Sequence, residues 1–188
     1  MPDQQRSLIV ITGEEGAGKS TVMSALLPHT PNGAKIDAED IGQVNPFTFD
    51  GPFLELLRQN LTAVIANFLD AGYTTVIAGS FLDGDTYDGL RSLRTRLPSD
   101  LALYVVQLRA SKIVRDQRRI ARPKPSSQEW RDRVDAGYPI GDTSLQDNAY
   151  DYRYLMIDNS DQQLDETVAA IKLAIPEVYV LRRAVPED

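Results

Sequence analysis

Residues 13–20 read Gly-Glu-Glu-Gly-Ala-Gly-Lys-Ser, and this octet constrains the chain more than any other stretch. It fills every fixed position of the pattern G-x-x-x-x-G-K-[ST]. Gly13, Gly16 and Gly18 let the backbone turn tightly and approach an anion, with successive N–H groups aimed at the β-phosphate of a nucleotide. Lys19 then reaches the β- and γ-phosphates, and the Ser20 hydroxyl suits Mg²⁺. A helix starting at the end of the loop adds the positive end of its dipole. The nucleotide-binding set read from the motif is Gly13, Glu14, Glu15, Gly16, Ala17, Gly18, Lys19, Ser20 and Thr21.

The competing reading is an ordinary glycine-rich turn, and context separates the two. Leu8–Thr12 is a short apolar, β-branched run of the kind that makes a buried parallel strand. Ser20–Leu27 is compatible with a helix and is stopped by Pro28. Strand, glycine loop and helix is the setting that the motif requires.

A length of 188 residues suits one domain, residues 1–188, with a substantial core. The net charge of −7 argues against broad nucleic-acid binding and against an anionic membrane surface. Cysteine is absent, which excludes disulfides and thiolate metal sites. No apolar run is long enough to span a bilayer, and the start of the chain lacks the pattern of a secretory signal. A cytoplasmic protein is the expectation.

Further along, Ala34–Asp37 reads as a second strand, and Asp37 would stand at its carboxyl end, where an open parallel sheet holds its ligand. Asp37 is read as a general base or a ligand to Mg²⁺ or its water. The plainer alternative is a helix cap or a solvated carboxylate. Glu39 and Asp40 are weaker candidates of the same kind. Asp50 should cap a helix with Pro52 in its first turn, closed by Gly72. Phe47, Phe49 and Arg58 could line a substrate pocket, though most of that helix reads as scaffold.

Thr74–Ala78 is a third strand, followed by Ser80, nearest the crevice and placed for a polar substrate contact, and by Asp83 and Asp85, which either reach the site through water or cap the next helix. A helix from about Tyr87 to Leu97 carries Arg91, Arg94 and Arg96 on what reads as a solvated face. Leu101–Leu108 is a fourth strand. Ser111 should then cap a helix bearing Arg115, Arg118, Arg119 and Arg122, a basic cluster out of character in an acidic chain. Arg115 and Arg119 share a face, and Arg118 and Arg122 a neighbouring one. These arginines could neutralise a transferring phosphoryl group. Alternatively they form a solvated face paired with Asp116, Glu129 or Asp132.

Ser126–Glu129 has capping-box spacing and starts another helix to Ala136. With the Pro-rich break before it, the region of about residues 111–140 reads as a mobile cover. Tyr138–Asp151 reads as a polar link and Arg153–Asn159 as a fifth strand. Ser160 or Asp161 should cap a last helix ended by Pro176, with an apolar Val178–Leu181 tail that packs as an extra strand or on a partner.

This order resembles the P-loop kinases of small molecules, the group of nucleoside monophosphate, shikimate and gluconate kinases, chloramphenicol phosphotransferase and zeta-toxin-like kinases. The residues that carry the resemblance are Gly13–Ser20, Asp37, the arginine-bearing helix after the fourth strand and Ile157–Ser160, spread over roughly residues 7–175. The resemblance implies an α/β fold: a P-loop NTPase three-layer sandwich with a five-stranded parallel sheet, helices on both faces and a small helical lid. It implies ATP and Mg²⁺, with Lys19 on the phosphates, Ser20 on the metal, Asp37 activating a hydroxyl, and lid arginines among Arg115, Arg118, Arg119 and Arg122. Asp158–Ser160 would lie by the adenine. The nucleoside monophosphate kinases carry an Asp-Gly-x-Pro-Arg type signature after the third strand, where this chain has Ala78-Gly79-Ser80-Phe81. A hydroxyl-bearing metabolite, sugar, antibiotic or nucleoside is therefore favoured over a nucleotide acceptor.

The expected activity is transfer of a nucleotide γ-phosphate to a hydroxyl or phosphate of a small molecule. The expected partners are a nucleoside triphosphate and a small acceptor, with no nucleic acid or membrane and a possible homo-oligomer. The alternative is a slow nucleotide hydrolase or a nucleotide-dependent regulatory binder.

Overall fold

The structure is a computed structural model, and it describes residues 5–46, 48, 50–79, 86–123, 125–138 and 141–179. Five strands form one parallel sheet: β1 (Ser7–Gly13), β2 (Gly33–Asp37), β3 (Thr75–Gly79), β4 (Ala102–Arg109) and β5 (Arg153–Asp158), in the order β2-β3-β1-β4-β5. Among the described residues they alternate with α1 (Lys19–Leu26), α2 (Gly51–Asp70), α3 (Tyr87–Arg94), α4 (Lys112–Ile120), α5 (Gln128–Gly137), α6 (Ser144–Asp147), α7 (Leu164–Ala174) and α8 (Pro176–Tyr179). This is the expected three-layer parallel α/β architecture.

β1 sits at the centre, and all seven of its residues are buried. A parallel strand covered on both faces must be apolar on both, which is why Leu8–Ile11 has no polar alternation. Leu8 and Val10 point to one layer, where they pack with Leu61 and Ile65 of α2 and Leu90 and Leu93 of α3. Ile9 and Ile11 point to the other, against Val22, Met23 and Leu26 of α1 and Val168 and Ile171 of α7. The period of two in the strand thus assigns each helix its face.

Local signals placed most helix starts. Asp50 accepts from Phe53 N at 2.9 Å and caps α2. Ser111 accepts from Val114 N and caps α4. Two caps differ from expectation. α5 is capped by Ser127, whose hydroxyl accepts from Trp130 N, while the backbone carbonyl of Ser126 is taken by Arg131. α7 is capped by Gln163 in a capping box with Glu166. Ser160 is spent elsewhere, donating to Asp158 Oδ1 and accepting from Ser111 N.

The polar link also departs from expectation. It contains α6, whose Leu145 is buried in the core, and the Tyr152 hydroxyl donates to the Leu145 carbonyl. α1 ends at Leu26 and α7 at Ala174, ahead of Pro28 and Pro176 as expected, with a 3₁₀ turn over Leu27–His29 and α8 opening on Pro176. Val178 is buried in the core within that helix and Tyr179 reaches Thr30, so residues 178–179 are not an extra strand. Residues 180 and 181 lie outside the described residues. The helix α3 stops at Arg94, whose guanidinium donates to the carbonyls of Pro98 and Ser99. Its arginines are paired, Arg91 with Asp88 and Arg94 with Asp151, and Arg96 just past its end pairs with Glu55.

Candidate active site

The carboxyl ends of β1 and β2 bring together the residues singled out by the motif. β1 runs into Gly13 (φ 132), and the loop passes through Gly16 (φ 87) and Gly18 (φ 96) before α1 begins at Lys19. Two of these glycines are required by space as well as by backbone angle. A Cβ on Gly13 would lie 2.2 Å from the carbonyl oxygen of Leu108 in β4, and one on Gly16 would lie 2.8 Å from that of Arg115 in α4. The loop is therefore pressed against the end of β4 and the first half of α4. No side chain caps the N-terminus of α1 and its first turn holds no acid, which leaves the helix dipole for an anion.

Lys19 folds back over the loop, its ammonium donating to the carbonyls of Gly13 at 2.6 Å and Glu14 at 3.2 Å. Ser20, one residue on, donates from Oγ to Asp37 Oδ2 at 2.7 Å. Asp37 is only 8% exposed, and its Oδ1 accepts from Glu39 N at 3.3 Å. The cap reading of Asp37 is realised: it caps the turn Ala38–Asp40, while its other oxygen accepts from Ser20 at the end of the loop. Thr21 follows in α1 and is exposed.

Among the described residues no group of three or more His, Asp or Glu side chains could hold a metal ion alone. One hydroxyl and one carboxylate 2.7 Å apart nevertheless fit Mg²⁺, which is commonly held by one or two protein oxygens together with substrate phosphates and water. Glu39 adds charge at the rim. Protein packed around its carboxyl and the neighbouring Asp37 raise its pKa, with Lys19 and Arg122 pulling the other way.

The four arginines divide by environment. Arg115 and Arg119 share a face, as their spacing requires, and that face is buried. Arg115 pairs with Glu14 Oε1 and Asp135 Oδ1, each at 2.8 Å. Arg119 has no exposed side-chain area; it pairs with Asp135 Oδ1 at 2.7 Å and Asp116 Oδ1 at 3.1 Å, and Nε donates to the Glu15 carbonyl at 2.9 Å. Burial opposes ionisation of Asp135, but hydrogen bonds from Arg119, Arg115 and Lys112 hold its carboxyl far below the usual range.

Arg118 points to β5, donating to Asn159 Oδ1 at 3.1 Å and its carbonyl at 2.9 Å, while Asn159 Nδ2 donates to the Ala17 carbonyl at 2.9 Å. The Asp158–Ser160 turn is thereby tied to the phosphate loop. Arg122 lies past the end of α4, with Nη1 3.1 Å from Glu15 Oε1.

Sequence reasoning named Asp116 correctly as a partner and missed Glu14, Glu15 and Asp135. Glu129 pairs with Arg133 instead, and Asp132 accepts from Gln128. Arg58 is half-buried, with Nε 3.3 Å from Glu55 Oε2. Phe47, Phe49, Ser80, Asp83 and Asp85 lie outside the described residues.

No protein-family model matches the chain, and no curated protein matches it by sequence. Solved structures do match in shape. A sugar kinase from Janibacter sp. HTCC2649 superposes with a TM-score of 0.70 at 14% identity, over 91% of this chain and 95% of that one. An APS kinase from Mycobacterium tuberculosis gives 0.66 at 14%, over 93% and 99%. A gluconokinase from Sinorhizobium meliloti 1021 gives 0.61 at 16%, over 94% and 95%. The chain has the P-loop kinase fold. At these identities the likeness is one of fold, and the chemistry must be argued from the residues. Among the described residues, no helix of this P-loop fold is long and apolar enough to cross a membrane.

Proposed function

We propose that the chain is a phosphotransferase that moves the γ-phosphate of ATP to a hydroxyl or phosphate of a small acceptor, with Mg²⁺. The observation that carries this reading is the Ser20–Asp37 pair, 2.7 Å apart beside the Gly13–Ser20 loop at the carboxyl end of a parallel sheet. The loop would cradle the β-phosphate, and Lys19 would leave the Gly13 and Glu14 carbonyls for the β- and γ-oxygens. Mg²⁺ held by Ser20 and Asp37 would neutralise charge on the phosphates. Asp37 is the carboxylate placed to take the proton from an attacking hydroxyl. Asn159, Arg118 and Ala17 would border the adenine side, and Arg122 the phosphate side. Arg115 and Arg119, whose charges are already matched, would hold the α4–α5 cover, the lid of the sequence reading, against the loop rather than meet the transferred group. Kinases of sugars, of gluconate and of APS among the similar folds support a small acceptor.

The test is a screen of sugars, sugar acids, nucleosides and aminoglycoside- or macrolide-type alcohols for acceptor-dependent release of ADP from ATP. Stimulation by one class, with the phosphorylated product seen by mass spectrometry, is the expected result. Slow ADP release that no acceptor stimulates would instead favour the hydrolase or regulatory reading.

A further inference from the structure

The loop that would take the nucleotide carries two carboxylates of its own, and a triphosphate brings like charge to both. Glu14 is matched by the buried Arg115. Glu15 is met by two arginines that differ in freedom. Arg119 has a fully buried side chain, held by Asp116, Asp135 and the Glu15 carbonyl, and cannot leave without breaking the α4–α5 packing. Its Nε stands 3.6 Å from Glu15 Oε2, which is buried with no hydrogen-bond partner among the described residues. Arg122 is beyond the helix, its side chain is 44% exposed, and its hold is a single hydrogen bond to Glu15 Oε1 at 3.1 Å. Its partner Glu15 belongs to the Gly13–Ser20 loop, so Arg122 stands beside that loop.

We infer that Glu15 is a counter-ion that keeps Arg122 docked beside the phosphate loop and yields it to the terminal phosphate of a bound nucleoside triphosphate. The inference rests on the reading of the loop as a nucleotide site. An arginine on a long flexible chain loses much side-chain freedom when it is fixed on a phosphate. Docked on Glu15, Arg122 has already lost part of it, but it must give up that ion pair to meet the phosphate. Glu15 then remains opposite Arg119, so its charge is not stranded. The consequence is that Glu15 competes with the terminal phosphate, and with a diphosphate much less.

The experiment is calorimetric titration of a non-hydrolysable ATP analogue and of ADP, with Mg²⁺, into the wild type, Glu15→Gln, Arg122→Gln and the double variant. Glu15→Gln should tighten the analogue about three- to tenfold, and ADP less than about twofold. Arg122→Gln, at an exposed position that does not threaten folding, should weaken the analogue and erase most of its advantage over ADP. In that background Glu15→Gln should lose most of its effect, the mark of coupled residues. An equal gain for both nucleotides, or in both backgrounds, overturns the inference and leaves plain charge repulsion. Weaker analogue binding by folded Glu15→Gln overturns it too and makes Glu15 a support of the loop. A wild type that binds neither nucleotide brings down the loop reading and the inference together. Nucleotide binding without the coupling brings down the inference alone.

Discussion

The hydroxyl of Ser20 donates to Asp37 Oδ2 across 2.7 Å, joining the first turn of α1 to the last residue of β2. The bond fixes a carboxylate beside a hydroxyl at the mouth of the sheet, and Asp37→Asn separates the roles it serves. The amide keeps the size and can still accept from Ser20, but it is not basic. If Asp37 is the base, single-turnover transfer at saturating Mg²⁺ should slow by about 10²–10⁴-fold while an ATP analogue still binds. A near-normal rate would sink the assignment. A raised Mg²⁺ requirement with little change in the chemical step would make Asp37 a metal or water ligand, and a loss confined to Asp40→Asn would move the base there.

Lys19→Ala removes an ammonium that now spans the loop carbonyls of Gly13 and Glu14. A charge-assisted contact to phosphate contributes about 1.5–3 kcal/mol, so nucleotide affinity or turnover should fall at least about tenfold. Unchanged calorimetric affinity and unchanged turnover in a folded variant would refute the phosphate role.

Arg119→Met tests the clamp between α4, α5 and the loop. The substitution leaves Asp135 and Asp116 short of a partner around a fully buried position. Breaking a buried pair in this way costs about 3–5 kcal/mol, and the part exposure of the two carboxylates places the expected loss at the low end. Urea unfolding measures it. A loss below about 1 kcal/mol would mean that the network is no stronger than a surface pair.

How much of this was legible in the sequence depended on the range of the interaction. The strand–loop–helix setting of residues 7–26, the β-branched strands and the Asp50 and Ser111 caps are local and were read correctly. The caps of α5 and α7 were misplaced because adjacent Ser residues, or Ser160 and Gln163, have similar local preferences, and contacts from Arg131 and Ser111 decided between them. The arginine cluster was visible, and its i, i+4 face was correct. Its partners Glu14 and Glu15 were not, because nothing in the spacing of one helix says which loop about a hundred residues away it will meet. The core Leu145 was hidden in a polar stretch too short to show a period.

Acid should unfold the protein largely through Asp135. A carboxylate whose folded pKa is depressed contributes stability above its unfolded value of 3.8 and loses it as the pH falls toward the folded value. Glu14 and Glu39 act in the opposite sense: burial, the largest cause, raises both above 4.5, so protonating them relieves the folded state. The urea midpoint should hold or rise slightly from about pH 6 to about pH 5, then fall from about pH 4 to about pH 2. Asp135→Asn should flatten that lower limb, and an unchanged limb in this variant would assign acid unfolding to other groups.

The meeting of Glu15 with Arg119 and Arg122, 104 and 107 positions downstream, ties two distant parts of the chain into one heritable unit. A lineage that replaced the loop glutamates with neutral residues would take one partner each from Arg115 and Arg119 and the hydrogen-bonded partner from Arg122, and one that lost the arginines first would leave two carboxylates unmatched in the glycine loop. Each loss penalises the other partner, so the two should be gained and discarded together. Descendants of this chain are therefore expected to show paired substitutions at positions 14 and 15 and at positions 115, 119 and 122, while the glycines, Lys19 and Ser20 stay fixed.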